Sequence, residues 1–210
     1  MQPMPRSVAE VTRTGVEMPV AAEDGLRAGF YRLLASFLSR PAGGDLLAVG
    51  AGLSGDDSNL GRAVDELAAA CREAEPEAVA AEYQNIFIGL ARGEMLPYGS
   101  YYLTGFLHEK PLARLRRDMA QLGIERDPSS SEPEDHIASL FEVMAGLIDG
   151  TFGAPLSLAE QRQFFESHIG SWARVMFRDL EKAPSARLYA AVGTVGRSFM
   201  EVEIGAFRMV

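Results

Sequence analysis

Apolar residues recur every three or four positions along almost the whole of this chain, and no run of alternating polar and apolar residues competes with that period. A chain patterned this way buries its stripes by packing helix on helix, so the fold class is all-α. Leu26, Phe30, Leu33, Leu34, Phe37 and Leu38 form the first stripe and predict a helix over 23–39, ended by Pro41. Leu60, Val64, Leu67 and Cys71 form the second. Cys71 reads as a small buried apolar side chain, because the neighbouring Arg72 points about 100° away round the helix and does not activate it. Pro76 suits a first helical turn, Val79, Tyr83, Ile86 and Phe87 follow at helical spacing, and Gly89 offers a stop. Residues 90–98 read as a loop.

Pro111 opens a further helix with Leu112, Leu115, Met119 and Leu122 inward, Arg114, Arg116 and Arg117 on a solvated face, and Gly123 as its end. Ser131 with Glu134, and Ser157 with Glu160, have the spacing of capping boxes. The first precedes Ile137, Leu140, Phe141, Met144, Leu147 and Ile148; the second precedes Phe164, Phe165, His168 and Ile169, with Trp172, Val175, Met176 and Leu180 continuing the pattern. A last helix after Pro184 uses Leu188, Val192, Val195 and Phe199. The expected architecture is one globular domain over 23–210, of roughly ten helices in two halves joined by a hinge at about 124–131, behind a loose tail over 1–22.

Net charge narrows the partners. At −9 the average field repels nucleic acid and anionic membrane surfaces. No apolar run approaches the ~20 residues of a membrane span, and residues 1–22 lack the apolar core of a secretory signal. One cysteine permits no intramolecular disulfide, which agrees with a reducing compartment, the cytoplasm. There is no phosphate-cradling GxxxxGK[ST] loop, GxSxG elbow, HExxH pair or CxxC, and His108, His136 and His168 fall in three separate segments. No cofactor and no metal site are expected.

The densest chemistry is Glu132, Pro133, Glu134, Asp135 and His136, ahead of the strongest helix. Carboxylates in a first helical turn are favoured by the helix dipole, which accounts for Glu134; an imidazolium there is disfavoured. His136 therefore calls for a carboxylate partner, with Glu132 four residues away on the same helix face, or for a functional reason. Both readings stay open on the residues alone.

The run Glu132 to His136, followed by Ile137, Ala138, Glu142 and Met144, resembles the signature of the TorD/DmsD/NarJ family of redox-enzyme maturation chaperones. Glu82, Tyr83, Ile86, Phe87, Ile88 and Gly89 are similar to that family's acidic-aromatic helix and its closing turn, and Leu96, Pro97, Tyr98, Gly99 and Ser100 to its proline-aromatic loop. Phe164, Phe165, His168, Trp172, Asp179 and Leu180 follow its later helix pattern. The chain departs from the pattern at Leu140, where relatives often carry glutamate, and at Tyr98, where tryptophan is common.

The resemblance implies a cytoplasmic helical chaperone and not an enzyme. It would bind the twin-arginine signal peptide and apo catalytic subunit of a molybdenum-cofactor oxidoreductase, of DMSO/TMAO reductase or formate dehydrogenase type, assisting cofactor insertion before export. It also implies a monomer or a domain-swapped dimer. Glu132 and Asp135 are the expected guanidinium contacts, and Tyr83, Phe87 and Tyr98 the apolar ones, with Pro133, His136, Pro97 and Ser100 completing the peptide site. Two other classes compete: an all-α enzyme using Asp135, His136 and Glu142 on a metal or as acid and base, and a purely structural assembly subunit.

Overall fold

The computed structural model describes residues 22–90, 92–125 and 132–209, and contains ten α-helices and no strand among them. The expected tail, save Ala22, and most of the expected hinge lie outside the described residues.

Helix α1 (Ala22–Ser39) begins with Glu23 and Asp24 and stops two residues before Pro41. Its inward face holds most of the expected stripe: Leu34, Phe37 and Leu38 are buried, and Phe30 and Leu33 are packed against the core. Leu26 is 68% exposed, and the buried side is Ala28, Tyr31, Leu34, Ala35, Phe37 and Leu38. Tyr31 anchors this face: its hydroxyl donates to buried Glu203 at 2.9 Å, and its ring meets Phe141 and Phe199 edge-on. Two short helices were not expected. One is α2 (Gly44–Ala51), which lies on α3 (Asn59–Glu73). Cys71 is buried there as expected, and burial pushes its thiol up to about 11.

Helix α4 (Pro76–Tyr83) continues without a break into a π-helical turn over Gln84–Ile88. That turn closes with Gly89 N–H donating to Gln84 O. Gly89 has φ +64°, and a Cβ there would stand 2.1 Å from the Arg92 carbonyl oxygen, so this position requires glycine. The other unexpected helix is α5 (Gly99–Thr104), followed by α6 (Lys110–Gln121), α7 (Ile137–Asp149), α8 (Leu158–His168), α9 (Ala173–Leu180) and α10 (Leu188–Phe207). Ser157 and Glu160 form the expected capping box of α8. The expected inward residues of α10, Leu188, Val192, Val195 and Phe199, are all buried.

One core unites both ends of the sequence: α1 packs along α7, and α10 lies against α3 and α9. Helices from both sides of residues 126–131 thus share a single interior.

Candidate functional site

Two loops far apart in sequence cross at one point. Leaving the π turn, the chain is tied back by Met95 N–H to Ile86 O at 2.8 Å and then runs through Pro97, Tyr98 and Gly99. Ile137 N–H donates to Pro97 O and Gly99 N–H to Asp135 O, each at 2.9 Å, so Tyr98 and His136 form an isolated antiparallel bridge. Each loop also starts a helix, α5 after Tyr98 and α7 after His136.

The side chains finish what the backbone begins. Asp135 reaches across and accepts the Ser100 amide at 2.8 Å, satisfying a free donor at the start of α5. Asp135 is 3% exposed and Ser100 fully buried, and Asp135 Oδ1 and Ser100 Oγ have no partner among the described residues. His136 is itself the N-cap of α7, its Nδ1 accepting the Ala138 amide at 3.2 Å. Burial lowers its pKa to about 4 and outweighs the opposing pull of Glu132 and Asp135, so at neutral pH the ring is uncharged with its proton on Nε2.

Two expectations are corrected here. Helix α7 starts at Ile137 rather than near Ser131, which lies outside the described residues; Glu134 instead takes a forked interaction from Arg116 of α6 at 2.8–3.0 Å. Glu132 and His136 share no helix face, because residues 132–136 precede the helix; Glu132 accepts the Tyr98 hydroxyl at 2.5 Å. Asp135, expected as a guanidinium contact, is buried and caps α5 through one carboxylate oxygen.

Above the crossing is a pocket of ≈ 230 Å³. It gathers six of the nine expected site residues: Tyr83, Phe87, Pro97, Tyr98, Glu132 and His136. Pro133, Asp135 and Ser100 do not line it. Ser39, Ile88, Ala138, Ser139 and Glu142 do, and were not expected as binding residues. The π turn accounts for Ile88: closing after five residues instead of four brings Tyr83, Phe87 and Ile88 toward one face. Glu142 had a signal in the sequence, being the one charged residue between Ile137 and Ile148.

Tyr83 is fixed by its hydroxyl donating to Leu38 O at 3.2 Å and by its ring against Phe87 and Tyr189; burial pushes its hydroxyl up to about 12. Tyr98 stands edge-on to the His136 ring at 5.1 Å, its pKa raised by burial and then by its bond to Glu132. Among the described residues no group of three or more His, Cys, Asp or Glu side chains is placed to share a metal ion. His136 Nδ1 and one Asp135 oxygen are in any case occupied as caps.

The sequence pattern of the nitrate reductase delta subunit family matches residues 54–178, a span that includes the π turn and both crossing loops. The chain belongs to this family. It is 26% identical to the chaperone protein TorD of Vibrio cholerae over 159 residues, covering 70% of this chain and 72% of the relative. It is 27% identical to TorD of Vibrio parahaemolyticus over 131 residues, 56% of this chain and 61% of the relative. Its fold is similar to the crystal structure of a redox enzyme maturation protein from Archaeoglobus fulgidus, with a TM-score of 0.56 and 20% identity over 90% of this chain and 99% of that one. No helix among the described residues is long and apolar enough to cross a membrane.

Proposed function

We propose that this chain is a cytoplasmic maturation chaperone, not an enzyme, that binds the twin-arginine signal peptide of a molybdenum-cofactor oxidoreductase and holds its apo catalytic subunit until the cofactor is inserted. The client is of DMSO/TMAO reductase or formate dehydrogenase type. The reading is carried by the pocket above the loop crossing, where carboxylates stand beside aromatic rings in a chain related to TorD chaperones. A twin-arginine leader offers positive charge followed by an apolar stretch, which is the complement of that lining. A net charge of −9 adds long-range attraction for a basic segment.

Calorimetric titration with a synthetic peptide of two adjacent arginines followed by an apolar stretch tests the proposal. Saturable binding that weakens from low to physiological salt, yet persists through the apolar contribution, is expected. Absence of binding at both salt levels contradicts it.

A further inference from the structure

Each acidic residue of the motif makes a hydrogen bond or ion pair within the protein, although one Asp135 oxygen has no partner among the described residues. Glu132 holds the Tyr98 hydroxyl, Glu134 the Arg116 guanidinium, and Asp135 the start of α5. Glu142 is different. It lines the pocket from α7, yet among the described residues it makes no hydrogen bond and no ion pair. The cation whose charge reaches it is Arg32, which is itself held by Asp149 and donates to the Thr151 hydroxyl at 3.0 Å. Glu142 is exposed at the pocket mouth; partial desolvation raises its pKa and the Arg32 charge opposes this.

A second group in the pocket is also incomplete. His136 also lines the pocket; its Nδ1 is taken by the Ala138 amide, and its Nε2–H, which makes no hydrogen bond among the described residues, is not fully buried and is open to the pocket.

We propose that Glu142 is the residue that seats an arginine guanidinium in this pocket, with His136 Nε2–H donating to a carbonyl of the same peptide. The assignment rests on the peptide-binding reading above and replaces Glu132 and Asp135 as the principal cation contacts. A guanidinium meeting Glu142 gains a charge-assisted, two-pronged interaction without breaking one, whereas Glu132 would first have to release Tyr98. The rings of Tyr83, Phe87 and Tyr98 line the same pocket and suit the flat faces of a guanidinium better than a lysine ammonium.

The test titrates two synthetic peptides, one with Arg–Arg ahead of an apolar stretch and one with Gln–Gln in its place, into wild-type protein, Glu142→Gln and Glu132→Gln. Thermal melts are run on the same preparations. Glu142→Gln is expected to weaken Arg–Arg binding by about tenfold or more, while Gln–Gln affinity and the melting temperature stay at wild-type values. Glu132→Gln is expected to lose less. An Arg–Arg affinity unchanged by Glu142→Gln, in a protein that still prefers Arg–Arg, overturns the assignment alone, as does an equal loss for both peptides. Wild-type protein that binds neither peptide, or both equally, overturns the reading of the pocket and the assignment with it.

Discussion

A histidine at the start of a helix opposes the helix dipole only when charged, and burial keeps His136 neutral. The consequence is a stability that depends on pH. The unfolded chain takes up a proton on this ring near pH 6.5, whereas the folded chain resists until about pH 4. Between those values the unfolded state binds more protons, so the contribution is complete above about pH 6.5 and is lost as the pH falls toward 4, amounting to ~3 kcal/mol. His136→Asn keeps a cap and removes the titrating ring; urea denaturation at pH 7 and pH 4.5 is expected to show a smaller difference than in the wild type. His136→Ala loses the cap as well, costing about 0.5–2 kcal/mol at pH 7. Asp135→Ala is expected to destabilise by about 1–3 kcal/mol, since it strands the buried Ser100 amide. The Asp135 role was not legible in the sequence: its partner lies 35 residues upstream, and a cap reaching in from another loop leaves no local spacing to read.

Helix ends in this protein are repeatedly capped from elsewhere. Glu82, on α4, accepts the amides of Arg187, Leu188 and Tyr189 at 2.7, 3.2 and 2.7 Å, serving the start of α10 from more than a hundred residues away. Glu82→Ala is expected to lower stability by about 1–3 kcal/mol in chemical denaturation, whereas Glu82→Gln, which keeps an acceptor, costs less. The local capping box at Ser157, by contrast, was legible, because both of its partners fall within four residues. The same division explains the helices themselves. The long stripe of α10 is read correctly because it is buried along its length; α2 and α5, with eight and six residues, are too short to show a period. In α1 most of the stripe was read correctly, but not its N-terminal end, where Leu26 is exposed, nor the share of Ala28, Ala35 and the hydrogen-bonded Tyr31 in the buried face. Close packing of α10 on α9 depends on Gly196, where an added Cβ would meet the Phe177 ring at 2.2 Å. Gly196→Ala is therefore expected to destabilise by about 1–3 kcal/mol despite alanine's higher helix propensity, read as a lower denaturation midpoint with unchanged slope.

Across the molecule, these caps and the shared core hold two distant loops in one register, and that register makes the pocket. The family motif is largely the means of building the crossing: Asp135 and His136 cap the helices that leave it, Glu134 ties it to α6, and the aromatic residues of the π turn supply one side of the pocket. The motif residues in sequence located the loop crossing, but not which of them line the pocket, since that division is set by burial after folding. A basic, apolar leader is expected to bind above the crossing. Amide hydrogen exchange, followed with and without a saturating Arg–Arg peptide, addresses it most directly. Slowed exchange over residues 83–89, 97–102 and 135–142 is the predicted result. Protection confined to the larger groove between α3, α4 and the start of α10, around residues 70–82 and 184–188, would contradict it.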